Sequence, residues 1–215
     1  RVDRRQRQMC IRDRGGNVHA NSPFAIVQIH AIFSLFFMFV TTAFVANVVV
    51  RDDESGFGPM VRTTRVTRFQ YLMGRFTGAF LAAAVAFLAI PLAIWVGSLM
   101  PWIDPERLGP TIPAAFAWAY FVVALPNLFL TAAIFFAVAT VTRSMMGSYV
   151  GVIVFLVLYA VMSTMIGQQP EWRQVAAYVE PFGVAAISNA TRYFTAAERN
   201  AILPPLDGAL LANRL

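Results

Sequence analysis

Apolar positions along the chain gather into four long blocks. The first, Phe24 to Val50, reads FAIVQIHAIFSLFFMFVTTAFVANVVV; the others run from Phe76 to Met100, from Ala114 to Val141 and from about Met146 to Ile166. None of the four contains Asp, Glu, Lys or Arg. About 20 apolar residues suffice for a helix to cross ~30 Å of hydrocarbon. A helix also satisfies its backbone groups internally, which an isolated strand in lipid cannot do. The pattern predicts an all-α integral membrane protein with spans at 24–50, 76–100, 114–141 and 146–166.

The connections are unequal. The link 51–75 carries five Arg, the proline-rich link PWIDPERLGPTIP at 101–113 carries one Arg against two acids, and the third link is a tight turn around Arg143. Cytoplasmic loops concentrate positive charge, so the first and third links are expected inside. The proline-rich link and the segment 167–207 are then expected outside. Trp95, Trp102 and Trp118 fall toward the outer ends of their spans, as an interfacial aromatic belt does. After Ile166 the pattern shortens into amphipathic pieces broken at Pro181 and Pro204-Pro205. There Thr195 and Glu198 form a capping-box pair that opens a short helix. GALLANRL reads as the start of another span, so the chain is expected to be a fragment.

Composition sharpens this reading. The chain is 58% hydrophobic and 13% charged, against about 25% charged in soluble domains. All 17 positive residues are Arg, and six of them lie in the first fourteen positions, RVDRRQRQMCIRDR. That head shares no composition with the rest and resembles translated adapter sequence. Residues 1–14 are therefore set aside as non-native, and 15–215 are read as one partial transmembrane domain. A basic arm for anionic lipid or nucleic acid is the alternative for the head. Without it, 11 Arg face 9 acids, and the basic pI is no argument for a nucleic-acid partner. The single cysteine, Cys10, lies in the head, so the remainder forms no intramolecular disulfide.

Several chemistries find no motif. With no Lys there is no P-loop, and neither H-E-x-x-H nor G-x-S-x-G occurs. No catalytic residue and no metal site is expected. The polar groups inside spans are His30, Asn47 and Asn127. An intramembrane ionisable residue is a functional candidate by default, but His30 is expected near the outer end of its span, reaching interfacial water. Asn127 follows Pro126, where a local or interhelical hydrogen bond is the simplest role. Pro91 and Pro126 are expected to kink their helices. Gly147 and Gly151, four residues apart, favour close helix packing.

The link 51–75 reads RDDESGFGPMVRTTRVTRFQYLMGR. Asp52, Asp53 and Glu54 would suit a helix N-terminus, and Gly56 and Gly58-Pro59 break the chain. Arg62, Arg65 and Arg68 then recur at three-residue steps, which predicts an amphipathic helix at the inner surface running into the second span. Its arginines could rest on phospholipid or face an acidic protein partner.

This stretch resembles the cytoplasmic link of type-2 ABC exporter permeases, whose pattern is R-E-x-E-x-G-T, a spacer, then T-P-V-S-R-x-x-x-L-L-G-K. Arg51, Glu54 and Gly56 stand near its first half. Thr64, Val66, Thr67, Arg68, Leu72, Met73, Gly74 and Arg75 follow the second. Phe57 replaces the Thr, and Arg65 the Pro. EPFGVAAISNATRYFTAAERN with LLANRL is further similar to a branch fused to an extracytoplasmic metallopeptidase-like domain, none of which is present here. The resemblance implies the permease subunit of an ATP-driven exporter in the bacterial inner membrane, a six-span unit of which this chain would hold the second to fifth spans and the first residues of the sixth. It also implies a second permease copy or paralogue, and a separate ATPase that uses ATP and Mg. Asp53, Glu54, Gly56, Arg62, Thr64, Arg65 and Arg68 would then form the coupling surface for that ATPase. The permease itself would bind no cofactor and catalyse no reaction. Two other classes stay open on the residues alone: a non-transporting membrane scaffold, and an intramembrane enzyme using Gln28, His30 and Asn47.

Overall fold

A computed structural model describes residues 17–54, 63, 65–168, 172–206 and 208–214. Four helices in it are long and apolar enough to cross a membrane: Pro23–Arg51, Arg68–Ser98, Pro113–Thr142 and Met145–Ile166. They are called spans 1 to 4. The described residues contain no strand, and the chain is an all-α integral membrane protein.

Span 1 is a single helix, α1 (Pro23–Glu54). It runs one turn past Val50, so Asp52, Asp53 and Glu54 close a helix C-terminus where the sequence suggested an opening one.

Span 2 is broken. Its first part, α2 (Arg68–Phe87), begins at a capping box: Thr67 Oγ1 accepts from the Gln70 N–H, and Gln70 Oε1 accepts from the Thr67 N–H. This box starts the helix at Arg68. The amphipathic helix expected from Arg62 onward therefore does not include Arg65, which sits in a bend. Arg65 and Arg68 consequently share no helix face. The second part, α3 (Ala89–Ser98), contains Pro91. Around Leu88 the ladder tightens, and the Leu88 N–H turns to Val85 and Ala86. The Ala84 carbonyl, which Leu88 would ordinarily satisfy, accepts instead from the Tyr120 hydroxyl at 2.8 Å.

Tyr120 belongs to span 3, which is interrupted at the same level. After α4 (Pro113–Trp118), residues Ala119–Ala124 form a π-helical turn in which the Leu125 N–H reaches back to the Tyr120 carbonyl. Then α5 (Leu125–Thr142) continues. Pro126 has no N–H to donate, so the wide turn falls where the ladder would be short of a donor anyway. Span 3 is the most enclosed, with 44% of its central window buried, against 6% in span 4. Spans 3 and 4 join through Arg143, which has a left-handed backbone at φ 48°. Ser144 then caps α6 (Met145–Gln168) by accepting from the Gly147 N–H. Gly151 faces Val138 and Phe135 of α5 with no Cβ between, as its spacing predicted.

Four short helices follow: α7 (Trp172–Val179), α8 (Val184–Ala190), α9 (Ala196–Ala201) and α10 (Gly208–Arg214). The capping box at Thr195 and Glu198 forms as expected. One end of the bundle is roofed. Asn21 and Gly109 exchange two hydrogen bonds of 2.7 Å, the Ala20 N–H donates to the Arg107 carbonyl, and Asn200 bonds to Asn17 and His19. The segment before span 1, the proline-rich link and α9 therefore meet at the end opposite the arginine-rich links.

Candidate functional site

The corner between α7 and α8 is not a surface turn. Phe182 is completely buried. Its ring lies edge-on to Phe155 and Tyr159 of span 4, in a cluster with Met38, Phe135 and Val152. Within the segment 167–207, which the sequence reading expects outside, residues 180–183 reach back among spans 1, 3 and 4. Non-helical backbone is tolerated among spans when its polar groups are satisfied, and several of the corner's are bonded by side chains. The Glu180 carbonyl accepts from Asn213 Nδ2 at 2.8 Å, and the Phe182 carbonyl from Asn127 Nδ2 at 3.1 Å. The Glu180 carboxylate accepts from the Phe182 and Ala185 N–H groups and from the Tyr159 hydroxyl.

Asn127 is the hub of this arrangement. It is 1% exposed and lies near the middle of the 30-residue span 3, roughly 20 Å from the roofed end at 1.5 Å per residue. Its Nδ2 also donates to Ser34 Oγ at 2.6 Å, and its Oδ1 accepts from Arg214 Nη1 at 2.6 Å. A guanidinium only donates, so the amide oxygen has to face Arg214, which fixes the orientation of the amide. Ser34 passes its own proton to the Ala31 carbonyl at 2.7 Å. One side chain thus ties span 1, span 3, the re-entrant corner and α10 together.

His30 lies one turn from Ser34 on the same helix. It does not reach interfacial water: it is completely buried, because the break after Phe87 sets that ring 5.9 Å from the imidazole. Its Nδ1 donates to the Ile26 carbonyl at 2.8 Å, and Nε2 is buried without a partner. Gln28 and Asn47 are exposed and do not converge with it, so no enzyme-like constellation forms from these three. Between the two broken helices, on the roofed half, a cleft of about 530 Å³ is lined by Leu88, Pro91, Leu92, Trp95, Phe116 and Tyr120, among others.

The opposite end carries the basic residues. Arg51, Arg65, Arg68 and Arg143 are exposed. Arg75 donates from Nη1 to the Val48 carbonyl and lies 4.9 Å over the Tyr71 ring, joining spans 1 and 2. Asp53 and Glu54 end α1, and their side chains lie outside the described residues, as do Gly56, Arg62, Thr64 and the head 1–14. Sequence reasoning flagged Asn127 but missed Arg214, Glu180, Tyr159 and Ser34. The signal for the corner was the Glu-Pro-Phe-Gly run itself, a turn that contains both an acid and a large aromatic.

The sequence profile of the ABC-2 family transporter proteins matches residues 18–195. The chain belongs to that family. It is therefore a transmembrane component of an ABC transporter, a multi-pass membrane protein whose family works with an ABC ATPase and often as permease pairs. The match takes in all four spans and the re-entrant corner, and stops before α9. No curated protein and no solved structure matches the chain.

Proposed function

We propose that this ABC-2 protein is the permease subunit of an exporter, driven by a separate ATPase that docks on the link 51–75. The observation that carries the reading is the exposure of Arg65 and Arg68 on either side of the Thr67 cap, at the point where the link becomes span 2. A contact there pushes directly on a transmembrane helix. Arg75 passes part of that push to span 1 through the Val48 carbonyl. On this reading ATP and Mg belong to the partner subunit, a second permease copy or paralogue completes the pathway, and the membrane is the bacterial inner membrane. The apolar, uncharged spans suit an amphiphilic cargo.

The test is Arg65→Glu with Arg68→Glu in the full-length protein, co-purified with the ATPase encoded beside it. Unpairing buried interfacial charges costs ~2–5 kcal/mol, enough to move a micromolar contact toward millimolar. Arginines resting on lipid contribute only about 1 kcal/mol each. Normal insertion with loss of the ATPase and of coupled hydrolysis is expected. Retained ATPase and unchanged hydrolysis would overturn the docking role and favour a scaffold.

A further inference from the structure

Arg214 is the least satisfied charge among the described residues. Nη1 is bonded to Asn127, but Nε and Nη2 are buried with no partner. Because neither atom has accessible surface, no ligand reaches them in this conformation. Buried charged donors without acceptors are costly. A carboxylate brought within reach would supply what this group lacks.

One acid is at hand. Glu180 stands on the same corner, three residues before the Gly183 that Arg214 packs against, and its carbonyl accepts from Asn213, the neighbour of Arg214. In the present arrangement its carboxylate is held only by neutral donors: the Tyr159 hydroxyl and two backbone N–H groups. A carboxylate has about four lone-pair sites, so Glu180 keeps capacity for a guanidinium. The guanidinium lies against Gly183, whose φ is 73° and whose missing Cβ leaves the space that it fills. Meanwhile Asn213, the neighbour of Arg214, is anchored to the Tyr178 and Glu180 carbonyls. The base of the arginine is thus fixed to the corner while its tip is bonded to span 3.

We propose that Arg214 is a two-position latch. In the position seen here it bonds to Asn127 and holds the re-entrant corner to span 3. In the other it pairs with Glu180 and lets the corner move away from span 3. The latch is centred near the middle of span 3, away from the proposed docking link, and it stands whether or not an ATPase docks there.

The test uses full-length protein in nanodiscs without nucleotide, on a Cys10→Ser background. Spin labels replace the exposed Phe121 in the π-turn and the exposed Tyr193 after α8, and the distance distribution between them is measured. The native chain is expected to show two populations. Asn127→Asp gives Arg214 a charged acceptor in its present position, and Glu180→Gln removes the charged alternative. Each is expected to shift the ratio on the order of tenfold toward the same single population, a charge-assisted bond being roughly twice as strong as a neutral one. Arg214→Gln is expected to abolish the response to both. A single native population, or distributions that Asn127→Asp and Glu180→Gln leave unchanged, would overturn the latch. ATPase co-purification with these variants is unaffected if only the latch is wrong, which separates its failure from that of the docking link.

Discussion

Replacing Gly183 by alanine tests whether the re-entrant corner is built around the guanidinium of Arg214. Two separate costs follow from the geometry. Gly183 has φ 73°, and an L-residue held in the left-handed region costs roughly 1–2 kcal/mol. The added Cβ would also overlap Arg214 Nη2, so the guanidinium must leave and its bond to Asn127 is lost. A buried hydrogen bond to a charged group contributes about 1.5–3 kcal/mol. The sum, ~3–5 kcal/mol, corresponds to a fall in Tm of roughly 10 °C for a chain of this size. Thermal unfolding of the protein in nanodiscs measures it. The decisive step is a double-mutant cycle. In an Arg214→Ala background the steric cost disappears, and Gly183→Ala should then lower Tm by only a few degrees. An equal effect in both backgrounds would show that the glycine serves the turn alone and that Arg214 does not occupy the space above it.

Two further outcomes are expected. Single cysteines at Ser55 and Glu106, introduced after removal of Cys10, should label from opposite sides of the membrane; labelling of both from one side would refute the orientation drawn from the arginines. The Glu198 carboxylate accepts from the Thr195 N–H and hydroxyl, bonds that hold its pKa below the ordinary carboxylate value, the backbone bond first. A lowered folded-state pKa means the box is intact above the unfolded value of about 4.3 and weakens as pH falls through the lower folded value. An NMR titration should place the Glu198 midpoint below ~4.3 and show it rising in Thr195→Val, whereas an identical midpoint in both proteins would exclude the hydroxyl contact.

The four spans were legible because each is a long uncharged block, and lipid leaves the backbone no alternative to helix. The Thr195 box and the close approach at Gly151 were legible because both depend on local spacing. Other features depended on contacts between distant residues, and those the sequence could not rank. His30 looked accessible from its place near the end of a span, but burial depends on Phe87, more than fifty residues away, and on the break that follows it. Asp52 to Glu54 suited a helix start by charge, yet the helix before them continued through them. Thr67 and Gln70 form a capping box that is local in sequence, and it outweighs the arginine periodicity that suggested an earlier start of α2. The corner at 180–183 reads in the sequence only as a break at Pro181 between short amphipathic helices. Its seat inside the bundle needs Tyr159, Asn127 and Asn213 to meet its polar groups, three residues with nothing local in common.

The breaks in spans 2 and 3 bear on how the two ends of the bundle could communicate. A continuous helix carries an axial push along its length, and it bends where its hydrogen-bond ladder is interrupted. Span 2 is continuous from the Thr67 cap to Phe87 and span 3 from Leu125 to Thr142, so the arginine-bearing halves of both are stiff. Both ladders are interrupted at one level, and the interruptions are joined there by the Tyr120 hydroxyl on the Ala84 carbonyl. On the proposed reading, force enters at the Arg65–Arg68 end and meets its first compliant point at this joint. Beyond it lies the apolar cleft, and next to it, at the start of the stiff half of span 3, stands the Asn127 hub. A displacement of the joint therefore acts on the residue that holds the re-entrant corner. The hydroxyl of Tyr120 is a small part of that path, but it is the one polar tie between the two breaks among the described residues, and losing it would leave each helix to bend by itself.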